Sequence, residues 1–202
     1  TYQSNNFGVG LPIAEKNQSN WVYMEPLLAN TALQADYAAI TKMNEMFREM
    51  LAIRQSSKLF RLETAAEVQA RQVYYNTGPS QLPGLIVMTL SDKVGTDLDP
   101  LHEQLVVLIN ASDEAQTFSA AELAGFELSM HPVLVNSVDE VVKTATYDPA
   151  TGTFMVPGRT SVVFVEYASP AELLNGLNVE IDHLVATDVL SYQRAKLLKL
   201  QV

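Results

Sequence analysis

The sequence predicts a mainly β protein: an antiparallel β-sandwich preceded by a loop and one long helix, and followed by a helical tail. Three observations predict it. Between residues 68 and 167, about eight short runs rich in β-branched and aromatic residues recur with turn residues between them and no helical pattern among them. Before them, residues 35–54 repeat their apolar residues at helical spacing. After them the strand texture is lost and helix-start signals return. A length of 202 residues with 48% apolar content accommodates one ordinary domain with an appendage.

The elements follow in order. Residues 4–12, SNNFGVGLP, form a shaped loop, because Gly8 and Gly10 tolerate positive φ while Pro12 fixes φ and donates no hydrogen bond. Chain termini fray unless something ties them down, so an ordered loop at the start reads as the middle of something larger. In residues 35–54, Ile40, Met43, Phe47, Met50 and Leu51 recur on one helical face, and Lys42, Glu45, Arg48 and Glu49 fall largely elsewhere. That face reads as scaffold packing against a body rather than as a cofactor box.

Past a boundary near residues 56–61, the predicted strands are 68–75, 85–90, 105–110, 115–119, 126–130, 141–147, 153–156 and 161–167. The segment TGPSQLPG at 77–84 is a turn by its chemistry, and DPATG at 148–152 joins TATY to TFMV as a hairpin. In the tail, Ser169 with Pro170 and Glu172 marks a helix start. A second helical pattern runs from Thr187 or Asp188, with Leu190, Leu197 and Leu198 on one face. These helices are too short to form a domain alone and are expected to pack on the sandwich.

Charge and composition exclude several classes of function. The net charge of -10, from 13 basic and 23 acidic residues, disfavours a nucleic acid or an anionic membrane surface as partner, since both require clustered Lys and Arg. No stretch approaches the roughly 18 to 20 uninterrupted apolar residues of a membrane span. The first residues lack the basic-then-apolar order of a leader. With no cysteine, disulfides, thiolate metal sites and cysteine nucleophiles are all excluded.

The remaining chemistry is sparse. His102, His131 and His183 stand far apart, in no HExxH or His-x-His arrangement, and read as surface or strand-edge residues rather than metal ligands. A Gly-x-Ser-x-Gly elbow is lacking, and GVG is followed by Leu11 and Pro12 rather than by the glycine and helix start of a dinucleotide loop. No cofactor and no metal is predicted. The acidic pairs Asp97 with Asp99, Asp113 with Glu114 and Asp139 with Glu140 fall between predicted strands. Acid and base roles need environments that split two pKa values, which exposed loop carboxylates lack. No catalytic residue is predicted within the chain.

Against that sparseness stands a resemblance. The runs NNFGVGLPIAEKNQSNWVYMEPLL, FREMLAIRQSSKLFRL, YNTGPSQLPGLIVMTL, VVLINASDEAQTF and FELSMHPVLVNSVDEVVKTATYDPATGTFMVPGRTSVVFVE occur in one order over residues 2–166. Together they resemble the C-terminal end of pullulanases, most of all the plant-type limit dextrinases of the α-amylase superfamily. In that family a (β/α)8 barrel hydrolyses α-1,6 branch linkages of pullulan, limit dextrin and amylopectin, and a β-sandwich follows the barrel.

The resemblance implies a plan. Residues 1–57 would be the end of the catalytic (β/α)8 barrel, a loop plus its last helix; 58–167 the C-terminal sandwich; and 168–202 a helical extension to which the resemblance assigns no role. The family's nucleophile, acid/base and third carboxylate would lie upstream of Thr1. Retaining glycosidases need two carboxyls about 5 to 5.5 Å apart, and the resemblance places neither here. The opening loop would lie nearest the chemistry, because barrel enzymes build their sites from loops on one face. Sugars are held by aromatic stacking and amide hydrogen bonds, so Asn5, Asn6, Phe7 and Trp21 become the candidate substrate-binding residues. The competing view of the same residues is local: the rings wedge the loop in place and the asparagines satisfy its backbone. The implied partners are an α-glucan, met through the complete enzyme, and the upstream barrel. A second reading of the chain is a free-standing sandwich that binds α-glucan or another protein.

Overall fold

A computed structural model describes residues 10–186 and, beyond them, Arg194, Leu198 and Lys199. The chain divides into two compact units, 1–48 and 49–202. In the first lie the short helix α1 (Ala14–Asn17), α2 (Trp21–Ala29) and the start of the long helix α3 (Tyr37–Ser56). Helix α3 begins two residues later than its apolar period suggests because Asp36 caps it, its carboxylate accepting the Ala39 N–H at 2.7 Å. It ends where Ser57 leaves the helical region and its hydroxyl accepts from Leu59 N–H, opening a 3-10 turn at Lys58–Arg61.

The first predicted strand needs correction. Residues 65–71 form a helix, α4 (Ala65–Arg71), and the strand β1 is confined to Gln72–Tyr74. The cause is a capping box: Thr64 Oγ1 accepts from Glu67 N–H at 3.1 Å while Glu67 Oε2 accepts from Thr64 N–H at 3.0 Å. Two further predicted strands shrink. Of 126–130 only β5 (Ser129–Met130) pairs, and 141–147 becomes a 3-10 turn at Val142–Thr144 followed by β6 (Thr146–Asp148). Phe126 and Leu128 still pack against the core, without entering a ladder. The other strands are β2 (Leu85–Ser91), β3 (His102–Asn110), β4 (Gln116–Ser119), β7 (Thr153–Val156) and β8 (Thr160–Tyr167).

All pairings are antiparallel, in a five-stranded sheet of order β1-β2-β3-β8-β5 and a three-stranded sheet of order β4-β7-β6. The expected hairpin joins β6 to β7, with Asp148 opposite Thr153. Its Gly152 sits at φ +64°, and a Cβ there would lie 2.2 Å from the Ala120 carbonyl, so only glycine fits without displacing backbone. Phe154 of β7 lies 4.7 Å from the ring of its cross-strand partner Tyr147 and, across to the larger sheet, 5.5 Å from Phe164 of β8, centroid to centroid. Asn110, at the end of β3, donates to the Val156 and Pro157 carbonyls and so ties the larger sheet to the exit of β7.

Along its central strands the larger sheet is buried on both faces. Strand alternation sends Val106, Leu108 and Phe164 to one side and Leu105, Val163 and Val165 to the other, and all six are buried. Ile53 from the end of α3 and Leu59 from the turn after it belong to the same core cluster, and that turn packs against β2. After β8, Pro170 opens α6 (Pro170–Ala186), with the Leu173 N–H donating to Ser169 O at 2.9 Å. Ile181 is buried, whereas Leu174 and Leu177 are exposed. The second helical pattern expected from 187 onward falls, apart from three residues, outside the described part of the chain. No helix among the described residues is long and apolar enough to cross a membrane.

Candidate functional site

Of the four candidate sugar-binding residues, Asn5, Asn6 and Phe7 lie outside the described residues. Trp21 is half-buried at the head of α2, and its indole N–H donates to the Pro12 carbonyl at 2.8 Å. The polar edge of the ring is therefore engaged by the last residue of the opening loop. Neighbouring asparagines serve the backbone: Asn30 Oδ1 accepts from Ala32 N–H at 3.0 Å, and Asn17 Nδ2 donates to Ile13 O at 3.4 Å.

The most telling property of this unit is what it does not bury. Among the described residues 10–48 none is buried, although the segment carries Val22, Tyr23, Leu27, Leu33, Tyr37 and the α3 stripe. Ile40, Met43 and Phe47 are exposed, and so are Met50 and Leu51 on the same helical face further along α3. Of the α3 residues, Ile53 alone among those described is fully buried. Its neighbour Glu49 is used as an anchor, accepting from Ser137 Oγ at 2.6 Å and from Val138 N–H at 2.8 Å.

In the sandwich unit the acidic pairs are occupied by structural partners. Asp99 accepts from Leu101 N–H and lies 2.8 Å from His102 Nδ1. Burial pushes its carboxyl up, but the hydrogen bonds from His102 and Ser57 outweigh burial and hold it below the usual range. Asp113 accepts from Arg159 Nε at 2.9 Å, Glu140 from Lys143 at 2.7 Å, and Asp139 from Val141 N–H at 3.3 Å. Asp97 is different: burial, a hydrogen bond with Asp92 and repulsion from Asp92 and Asp99 push its carboxyl up. It borders an open depression of about 660 Å³ that also holds Glu103, Glu127 and the Lys93–Glu166 pair, 2.8 Å apart. The third histidine, His183, falls on α6 outside the described side chains. Among the described residues no group of three or more His, Asp or Glu is arranged to hold a metal ion.

Two buried polar arrangements escape a reading of the sequence. Arg71 forms a buried ion pair with Asp92 and also donates to the Ser91 and Thr96 carbonyls, while Asp92 accepts from the Leu98 and Asp99 amides at 2.9 and 2.7 Å. His131 connects to Ser56, 75 positions earlier in the chain. Neither pair has a local signal, because the partners are brought together only by the sheet.

The fold is a sandwich of two antiparallel sheets that follows, in the sequence, a helical segment whose apolar residues are exposed. The family model for alpha-1,6-glucosidases, pullulanase-type, C-terminal, matches residues 2–167. The chain belongs to this family. It is 41% identical over 171 residues to Pullulanase 1, chloroplastic, of Arabidopsis thaliana, covering 82% of this chain and 18% of that protein. To the pullulanase of Klebsiella pneumoniae it is 32% identical over 163 residues, covering 80% of this chain and 15% of that one. Among solved structures, the maltotriose complex of PulA from Klebsiella pneumoniae aligns with a TM-score of 0.67 at 28% identity, over 82% of this chain and 18% of that one. The chain thus spans less than a fifth of the length of these relatives.

Proposed function

We propose that the chain is the C-terminal portion of a debranching enzyme that hydrolyses α-1,6-glucosidic linkages in α-glucans such as pullulan, limit dextrin and amylopectin. Residues 1–57 close the catalytic (β/α)8 barrel with a loop and its last helix, 58–167 form the sandwich behind it, and the catalytic carboxylates lie upstream. One observation carries the reading: the described residues 10–48 bury no side chain, yet display an apolar stripe along α3. A segment of that size and composition has no core of its own and needs a body to cover it. The upstream barrel is that body. In this role the portion supports the barrel, and Asn5, Asn6, Phe7 and Trp21 line a substrate subsite.

A second reading, a free-standing α-glucan-binding or interaction module, draws on one feature. Tyr74, 52% exposed, borders a shallow depression of about 340 Å³ with Ile86, Ile109 and Gln81. A single tyrosine among aliphatic side chains is a modest platform for a sugar ring. One comparison separates the two. The 202-residue chain should release no maltotriose from pullulan, the enzyme with its upstream region should release it, and Trp21→Ala should slow that enzyme more than Tyr74→Ala. Saturable binding of a branched maltooligosaccharide to the 202-residue chain, lost with Tyr74→Ala and kept with Trp21→Ala, would select the module instead.

A further inference from the structure

The last turn of α3 is hydrogen-bonded to a buried histidine of the sandwich unit, His131, with the buried His102 nearby. His131 caps α5 (Pro132–Val135), its Nδ1 accepting from Val133 N–H at 3.2 Å. On the other side of the ring Nε2 lies 3.0 Å from Ser56 Oγ. The Ser56 hydroxyl gives its own proton to the Ile53 carbonyl at 2.8 Å, so it accepts from Nε2–H. Both ring nitrogens are thereby specified: the imidazole is neutral, with its proton on Nε2. The backbone beneath the ring is pinned, since His131 N–H donates to Val163 O at 2.9 Å and the His131 carbonyl accepts from Leu134 and Val135.

We propose that His131 is an acid-sensitive latch, holding the last turn of α3 on the sandwich while neutral and releasing it when protonated. A second proton has to enter at Nδ1, where it would face the Val133 N–H, donor against donor. The site is 4% exposed, so the imidazolium reaches water only by swinging out of the cap, and Ser56 loses its partner as it does. The groups facing the ring supply no compensating anion. Ser56 from α3 and the Val133 amide from α5 are neutral, and His102 on β3, itself held by Asp99, acts against a charge on His131. Burial first and His102 second lower the pKa of His131 from its usual value.

The sign follows. The closed state binds fewer protons than the open one, so the latch is at full strength above about pH 6.5 and weakens as pH falls from there toward the depressed value in the closed state. Each pH unit in that window raises the open-to-closed ratio up to about tenfold.

Hydrogen exchange on the 202-residue chain tests this. After correction for intrinsic rates, the Ile53 to Ser56 amides should lose protection between pH 7.5 and pH 5.5, by up to about tenfold, while the central β3 amides stay unchanged. In His131→Asn, whose side chain also caps but does not titrate, the loss should vanish. An unchanged wild type, or the same loss in His131→Asn, overturns the latch. If that variant fails to fold, nitrogen-15 spectra of the wild-type ring decide: an Nε2–H tautomer titrating below 6.5 is expected, and an Nδ1–H tautomer or a midpoint at or above 6.5 refutes it.

Discussion

Phe47 offers the sharpest test of how this chain fits into a longer enzyme. In the chain its side chain is 61% exposed. Truncation to Ala there removes little packing and adds helix propensity, so stability should change by less than about 1 kcal/mol. In the enzyme with its upstream region the same ring should be covered. A Phe side chain presents about 200 Å² of surface, so roughly 120 Å² remains to be buried, worth about 3 kcal/mol at about 25 cal/mol per Å². That figure falls within the roughly 3 to 5 kcal/mol that Phe→Ala costs in packed sites. The assay is urea denaturation of wild type and Phe47→Ala in both lengths of protein, read at the transition in which the C-terminal region unfolds. A loss within about 0.5 kcal/mol in the longer protein would show that nothing covers this face. A loss of about 3 kcal/mol already in the 202-residue chain would show that the stripe has its cover here, and would equally refute the reasoning.

The remaining predictions concern the sandwich. Asp92→Asn leaves the Arg71 guanidinium buried beside a neutral amide and should cost about 3 to 5 kcal/mol in urea denaturation, and Arg71→Met with Asp92→Leu should recover only part of it, because the Leu98 and Asp99 amides lose their acceptor. Phe154, fully buried between the two sheets, should lose about 3 to 5 kcal/mol on conversion to Ala, measured the same way, and a loss below about 1 kcal/mol would mean that the sheets do not meet there.

What the sequence determined by itself is whatever depends on near neighbours in the chain. The α3 stripe, the 148–152 hairpin and the Ser169–Pro170 helix start are local patterns, because period, turn chemistry and caps act over a few residues. The helix at 65–71 is equally local: Thr64 and Glu67 spell its capping box, but the β-branched and aromatic run that follows it, VYY, carries the opposite signal. The sugar-contact role proposed for Asn5, Asn6 and Phe7 rests on resemblance alone, since no pattern in a loop specifies a ligand.

Only the tertiary structure decided how the strands are ordered and what each buried polar group meets. Strand alternation sorts Leu105 and Val106 to opposite faces, but nothing in it says that β8 enters between β3 and β5 or that both faces are covered along the sheet's central strands. Arg71 and Asp92 stand 21 positions apart, Ser56 and His131 75 apart, and in sequence each looks like a solvated surface residue. Whether such a group is buried, which partner satisfies it and where its proton sits are set by desolvation and hydrogen-bond geometry among segments that meet only when the sheets close.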